Sequence, residues 1–345
     1  MKGWPVALVM TLAVLAMPAL AAAPEPASIT PELIAAATKE GTVVFYTSIE
    51  LQTAEKIGAA FEKAYPGIKV QVERNGAERI VQRLMQERGA NIHTADVVEC
   101  SDMTALYDWK KQGWLAPFLP ADVTKWPADQ RDPDGMFATE RFTLAPILYN
   151  TKMVKPEDAP KSFADLLDPK WSGKIVKAHP SYSGGIVTST FQTVKAIGWD
   201  YIEKLGKQKV LQVQSATEPP KKLALGERAV SADGLEYMDI RMRESGAPIA
   251  IVYPKEGTPF IPGCEAIAKN APHPNAAKLF MSFMVSRETQ QYLADAAGLR
   301  SFHPDVKLKP GVVPLSQIKL LPSDPAAQEA ATEEIKKKYS QYFGI

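Results

Sequence analysis

TVVFYT at residues 42–47 begins a series of alternating strand and helix patterns that decides the fold. Apolar residues at helical spacing follow from 51 to 65, and a Pro-Gly pair at 66–67 ends that helix. A second strand at 68–72, a second helix at 78–87 and a third strand at 95–99 complete a βαβαβ unit. Such a unit predicts a parallel sheet with helices packed on it.

Small and polar residues follow each of the three predicted strands. Thr47 and Ser48 end the first strand, Gly76 follows the second, and Ser101 follows the third. Ligands of open parallel sheets bind outside the carboxyl ends of the strands. We therefore expect these residues to border a ligand site.

A second group of candidate residues comes just before an apolar helical stretch at 186–197. Ser183, Gly184 and Gly185 would form the first turn of that helix, where backbone N–H groups are unpaired. Helix starts of this kind favour an anionic group of a ligand. A plain helix cap is the alternative interpretation of the same residues.

An anionic group of a ligand needs a cationic partner in the protein. The sequence offers Arg74, Arg79 and Arg141 for this role. Overall the chain is balanced, with 40 basic and 39 acidic residues among 345. This balance argues against nucleic acid as a partner, because nucleic-acid binders carry an excess of basic residues. Any preference for a charged ligand must therefore be local.

The N-terminus has the pattern of a secretory signal peptide at residues 1–23. Lys2 precedes an apolar stretch at 6–15 and a run of small residues at 19–23. No cysteine follows that run, which disfavours a lipid anchor. The mature chain of about 320 residues is longer than one core usually supports, so we expect two domains in a periplasmic protein.

The rest of the chain predicts a second unit and a return to the first. A proline- and aspartate-rich segment precedes an extended stretch at 143–149, and residues 254–262 form a loop that leads back. Further strands are expected at 171–176, 229–232, 249–252 and 265–269, and further helices at 276–285, 288–297 and 326–339.

Five short segments, taken in order, resemble periplasmic substrate-binding proteins of the ferric-ion-binding type. They are GTVVFYTS at 41–48, ADVVECSD at 95–102, LYNTK at 148–152, DPKWSGK at 168–174 and APHPNAAK at 271–278. The resemblance implies an α/β, type II periplasmic-binding fold with two lobes, each a mixed sheet flanked by helices. Lobe 1 would be residues 28–142 plus 263–345, and lobe 2 residues 143–262, joined by crossover hinge strands near 143–148 and 258–262.

Such a protein captures a small ligand between lobes that close by hinge motion. The resemblance implies that it delivers the ligand, as a monomer, to an inner-membrane ABC permease. It requires no cofactor. A receptor that presents its ligand to a membrane sensor kinase would use the same cleft and is an alternative.

Iron-binding members of this family use two adjacent tyrosines from the second lobe. The comparable segment here contains Asp233, Glu236 and a single Tyr237, which we take as further site candidates. Hard ferric iron prefers several anionic oxygen ligands, and this segment supplies only part of such a set. We therefore expect an organic or phosphorylated anion, with ferric iron as the alternative.

The family topology would also lay the strand at 265–269 antiparallel beside the third strand, which makes Cys100 and Cys264 neighbours. They would form a disulfide in an oxidising compartment, or Cys100 would remain a free thiol facing the cleft. The four histidines show no metal-ligand spacing, so no metal site is predicted. Because motifs of a nucleophile elbow, phosphate loop or zinc protease are also missing from the sequence, we predict a non-enzyme.

Overall fold

The computed structural model describes residues 24–344, so the predicted signal peptide lies outside the described residues. Eleven strands are described within this range: β1 (Thr42–Thr47), β2 (Lys69–Arg74), β3 (Val97–Cys100), β4 (Leu115–Ala116), β5 (Ala138–Leu144), β6 (Ile147–Asn150), β7 (Ile175–Ala178), β8 (Leu211–Val213), β9 (Val230–Ser231), β10 (Ile249–Val252) and β11 (Phe260–Ala268).

Eleven α-helices are described in the same range: α1 (Pro31–Glu40), α2 (Leu51–Ala64), α3 (Ala77–Gly89), α4 (Met103–Lys111), α5 (Gly184–Ile197), α6 (Trp199–Gly206), α7 (Glu218–Ala224), α8 (Glu236–Glu244), α9 (Pro274–Val285), α10 (Arg287–Tyr292) and α11 (Pro325–Phe343). Between residues 24 and 344, no helix combines the length and apolar character needed to cross a membrane.

The strands form two mixed sheets. In the first sheet the order is β2-β1-β3-β11-β4, with β5 also paired to β11. β1 is parallel to β2 and β3, which confirms the predicted βαβαβ unit, and β11 is antiparallel to β3. The second sheet has the order β10-β6-β9-β7-β8.

The first sheet is held by the apolar stripe of α2 and by α9. Ala54, Ile57 and Phe61 recur at helical spacing and are fully buried, because this face of α2 packs on the sheet. The ring of Phe280 on α9 lies 4.9 Å from that of Phe45 and 5.1 Å from that of Phe61. Burial of each such ring stabilises the fold by about 2–3 kcal/mol. This packing fixes the carboxyl ends of β1 and β3.

The chain crosses between the two sheets at two places. The first is at residues 145–146, between β5 and β6, and the second is at 253–259, between β10 and β11. Phe260 pairs with Leu144 and Ile261 pairs with Thr143, so β5 and β11 run side by side where both connections leave the first sheet. Since both connections are adjacent, they are suited to bending together.

The C-terminal helix α11 packs on α5 and α6 beside the second sheet and also contacts α4 beside the first. The predicted division at residues 142/143 and 262/263 stays a prediction, because α11 contacts both parts. Two local expectations are wrong. β11 already begins at Phe260 within the predicted loop, and residues 169–171 form a 3₁₀ turn, so that strand starts at Ile175.

Candidate ligand cleft

A cavity of about 40 Å³ lies between the carboxyl ends of the first sheet and the start of α5. Seven of the predicted site residues line it: Ser48, Gly76, Ser101, Arg141, Ser183, Gly185 and Tyr237. Residues that were selected because they follow strands or begin a helix are therefore close together in space, although they are far apart in the sequence.

Four predicted site residues do not line the cavity. The hydroxyl of Thr47 is buried and donates to Glu99 over 2.7 Å. Gly184 packs so tightly that an added Cβ would lie 2.5 Å from the Cβ of Asp102. The contacts of Gly184 show that its small size is needed for packing between α5 and α4, and its ligand role stays a prediction that concerns only its backbone N–H.

Asp233 and Glu236 are the other two exceptions, and both are paired with buried cations. Asp233 forms an ion pair with Lys177 inside the second part of the molecule. Glu236 accepts hydrogen bonds from Nε and Nη2 of Arg300 over 2.6 and 2.8 Å, and a further one from Tyr253. Because these partners occupy the carboxylates, neither side chain reaches the cavity.

Ser48 and Ser101 are positioned by Glu99 at the ends of β1 and β3. The Ser48 backbone N–H donates to Glu99 over 2.8 Å, and its hydroxyl lies 3.1 Å from the same oxygen. The Ser101 N–H in turn donates to the Ser48 hydroxyl over 3.0 Å. This chain of bonds orders the first-sheet side of the cavity.

Arg141 on β5 brings a buried positive charge to the cavity. Its Nη2 donates to Glu99 over 2.7 Å, and its side chain is only 5% exposed. Burial favours a lower pKa for Arg141, but Glu99 and Glu140 outweigh it and raise that pKa above its usual value. Gly263 leaves room for the guanidinium, since a Cβ there would lie 2.8 Å from its central carbon.

Tyr237 faces the cavity from the first turn of α8. Burial raises the pKa of its phenol to about 12, so the group is a neutral hydrogen-bond donor at physiological pH. The loop before α7 adds Ser215 and Thr217, and Tyr182 lies beside Ser183. These three were missed, although a Ser-x-Thr-x-Pro pattern at 215–219 marks a helix start.

Two helix starts contribute unpaired donors to the same place. Neither Gly76 before α3 nor Ser183 before α5 makes a side-chain cap. Within residues 24–344, the backbone N–H groups of Gly184 and Gly185 have no hydrogen-bond partner. Both helix starts therefore remain able to bind a negatively charged group.

The lining contains two cations, Arg74 and Arg141, and no carboxylate. Arg74 is oriented by a 3.1 Å hydrogen bond from its Nε to the carbonyl of Ile49. Among the described residues, no group of three or more His, Cys, Asp or Glu side chains is placed to hold a metal ion. The chemistry of this cleft is that of hydrogen-bond donors and positive charge.

Contacts around the cavity hold its two sides together. Arg241 on α8 lies 3.0 Å from Glu50 and 2.9 Å from the hydroxyl of Thr53, both at the start of α2. On another side, Gln328 of α11 donates to Asp102 over 3.3 Å and to Thr188 over 3.0 Å. The cleft is therefore closed in this structure.

The cysteines are directly opposite each other in the β3–β11 ladder, as expected for neighbours. Both are buried free thiols, however, so the disulfide is not formed in this structure. The expectation that a free Cys100 faces the cleft is also wrong, because Cys100 does not line the cavity. Its side chain packs with Leu106 and Trp109 on the α4 face of the sheet, away from Glu99.

Comparisons with known proteins agree with this architecture. The family model for bacterial extracellular solute-binding proteins matches residues 93–321. Iron uptake protein A1 of Synechocystis is 26% identical over 264 residues, which is 72% of each chain. A probable ABC transporter periplasmic-binding protein of Sinorhizobium fredii is 23% identical over 281 residues, 78% of this chain and 77% of the relative.

Among solved structures, the periplasmic binding protein AfuA from Actinobacillus pleuropneumoniae, with exogenous fructose 6-phosphate bound, is similar to this chain. The TM-score is 0.80 at 23% identity, and the match covers 88% of this chain and 99% of AfuA. This similarity confirms the predicted two-lobed α/β fold class.

Proposed function

The chain belongs to the family of bacterial extracellular solute-binding proteins, and from this premise we propose that its ligand is a small organic or phosphorylated anion. The chain is the solute-binding component of an ABC import system. In our proposal it is released into the periplasm after removal of residues 1–23, acts as a monomer and passes its ligand to an inner-membrane permease.

The observation that carries the proposal is the composition of the cavity lining. Two guanidinium groups, several hydroxyl groups and the unpaired N–H groups at the start of α5 surround the cavity, and no carboxylate faces it. Donors and positive charge favour an anion, and Arg is well suited to carboxylate or phosphate oxygens. A cationic ligand would find no counter-charge.

The size of the cavity further limits which ligand groups can fit. A volume of about 40 Å³ admits about three water-sized groups, which corresponds to a single phosphate or carboxylate group. A larger ligand would keep its anionic group here and hold the two sides further apart. AfuA, which has fructose 6-phosphate bound, is a relative in fold whose ligand fits this description.

Ferric iron is the second candidate, because two relatives from Synechocystis are named for iron uptake. The cavity lining includes two phenols, Tyr182 and Tyr237, and burial raises the pKa of Tyr237, which disfavours the anionic form that iron prefers. The nearest acid of the same helix, Glu236, is held by Arg300. These contacts favour the anion over iron.

Native mass spectrometry of protein purified gently from the periplasm tests the proposal. After denaturation, release of an organic or phosphorylated anion supports it, and stoichiometric iron contradicts it. The same cleft would serve a partner of a sensor kinase, and genes for a permease and an ATPase beside this one would support transport.

Replacement of Arg74 by Met provides a second test. Loss of one guanidinium should weaken anion binding about tenfold or more, as measured by calorimetry with the released ligand. Arg79→Met is the matched control, because Arg79 is exposed on α3 and does not line the cavity. Equal affinities of the two variants would contradict the placement of the ligand.

A further inference from the structure

Three glutamates lie beneath the cavity on neighbouring strands, and we call them the carboxyl cluster: Glu99 on β3, Glu140 on β5 and Glu265 on β11. Each is completely buried. Glu265 is directly opposite Glu99 in the antiparallel ladder. The cluster therefore sits in the same strands that carry the first-sheet side of the cleft.

The three carboxyl groups are not equally supported. Glu99 accepts hydrogen bonds from Thr47, Ser48 and Arg141. Glu140 lies 2.9 Å from Nε of Arg141 but is not aligned with it for a hydrogen bond, and Glu265 has no donor among residues 24–344. A buried carboxylate without donors is strongly disfavoured, and such a group binds a proton instead.

The charges around the cluster lead to the same conclusion. Arg141 is the only cation that the described residues place within ion-pair distance of the cluster. The other titratable groups that face it are the thiol of Cys264 and, near Arg141, the phenol of Tyr237. Gln290 of α10, which donates to β5, and the buried residues of α9 are uncharged.

Full ionisation would therefore leave three negative charges against one positive charge, directly below a site that must attract an anion. Burial, with Glu99 nearby, raises the pKa of Glu140 to about 8 despite the opposing effect of Arg141. Burial and the two other carboxyl groups raise the pKa of Glu265 well above its usual value. These shifts favour the protonated, neutral form of both side chains near neutral pH.

We propose that the carboxyl cluster is a proton-binding site coupled to the cleft, in which protons on Glu140 and Glu265 keep the charge of Arg141 available to the bound anion. The inference rests on the proposed function and adds a regulation of the same site. Release of a proton from Glu140 would place a second negative charge beside Arg141, which already pairs with Glu99, and would weaken anion binding. By linkage, binding of the anion must favour uptake of the proton.

Infrared spectroscopy tests the protonation without any ligand. In D₂O near neutral pH, the full chain should show the carbonyl stretch of buried, protonated carboxyl groups. The band should weaken in Glu140→Gln and in Glu265→Gln. It should be unchanged in the control Glu329→Gln, because Glu329 is partly exposed on α11 and pairs with Lys111. A missing band, or a band that neither cluster variant alters, overturns the inference.

Calorimetry with fructose 6-phosphate and with inorganic phosphate tests the coupling. A phosphate monoester has its second pKa near about 6, so its charge is constant between about pH 7.5 and pH 9. Wild-type affinity for fructose 6-phosphate should fall up to about tenfold over the pH unit above 8, and Glu140→Gln should lose this dependence. Glu329→Gln should keep it.

The outcomes separate this inference from the proposed function. Binding that is independent of pH overturns the coupling and leaves anion capture standing. If neither probe binds at either pH, the coupling to phosphate binding is overturned even when the carbonyl band is present, whereas the proposed anion function is overturned only if native mass spectrometry releases no anion.

Discussion

Glu236 and Glu140 are both completely buried near the crossover strands, but only Glu236 has a guanidinium aligned with both carboxylate oxygens. Hydrogen bonds from Arg300 and Tyr253 replace those to water that the Glu236 carboxylate loses on burial. Glu140 has a guanidinium nearby that is shared with Glu99 and poorly aligned with Glu140. Equal burial therefore leads to a structural ion pair in one case and to a protonated acid in the other.

The comparison also separates two functions of buried charge. The Glu236–Arg300 pair connects the start of α8 to the segment that pairs with β5, so it orients the helix that carries Tyr237. Arg141 keeps contact with the cavity because its partners do not cover it fully. A fully paired cation serves stability, whereas a partly paired cation remains able to meet a ligand.

The largest expected effect comes from breaking the complete pair. Glu236→Gln leaves Arg300 charged and buried, so the free energy of unfolding should fall by about 3–5 kcal/mol. The same change at Glu265 should have little effect near neutral pH, because a protonated carboxyl and an amide are both neutral. Urea unfolding measures both variants, and equal losses would contradict the distinction.

The next effect concerns the pH dependence of stability. The folded-state pKa of Glu140 is raised from 4.5 to about 8, so the folded chain binds this proton more tightly than the unfolded chain. This contribution to stability is complete below about pH 4.5 and is lost as pH rises to about 8. Its size is on the order of 5 kcal/mol over this whole range, and about half of it is lost between about pH 6 and pH 8.

Glu140→Gln should flatten this part of the curve of unfolding free energy against pH. Asp102, whose pKa burial raises to about 6, contributes a separate loss between about pH 4 and pH 6. Asp102→Asn is therefore the control that alters a different pH window. A Glu140→Gln curve parallel to wild type at pH 6–8 would show that Glu140 is ionised in the folded chain.

A smaller effect is expected at the edge of the cleft. Arg241→Ala removes the contacts with Glu50 and Thr53 that accompany closure, and the side chains of Arg241 and Glu50 are partly exposed. Ligand affinity should fall about fivefold, or about 1 kcal/mol. Arg243, two residues further along α8, forms no ion pair among the described residues. Arg243→Ala therefore serves as the matched control in calorimetry.

The two cysteines lie on the opposite face of the same strands, and we expect a reductant to have no effect on stability through them. Cys100 and Cys264 are free thiols, so a reductant should leave the melting temperature unchanged. Thiol titration of unreduced chains should give no reaction when folded and two thiols per chain when unfolded. Two unreactive sulfurs in the unfolded chain would show that the disulfide forms in solution.

Much of the fold was predictable because its signals are local. The run at 42–47 and the helical spacing after it identify the parallel unit, and the strand at 249–252 was placed with its observed bounds. Five helices were not assigned, α1, α4, α6, α7 and α8. They are short, between 7 and 10 residues, and give a weak periodic signal.

The candidate site was predicted in part, for the same reason. Ser48 and Ser101 follow strands, and Gly185 lies in a helix start, so the sequence determined that these residues meet at a sheet edge. It also determined the α/β class, the balanced charge and the family resemblance. All of these depend on residue order and periodicity along the chain.

Only the tertiary structure decided which charged side chains are free to act. In the sequence, Glu236 and Asp233 have the carboxyl groups expected of ligand-binding residues. In the structure, cations from distant segments, Arg300 and Lys177, pair with them. Glu140 and Glu265 lack such partners and bind protons in our proposal. The pairing of a charge depends on the groups that folding brings within a few ångströms, and these lie up to 64 residues away for Glu236.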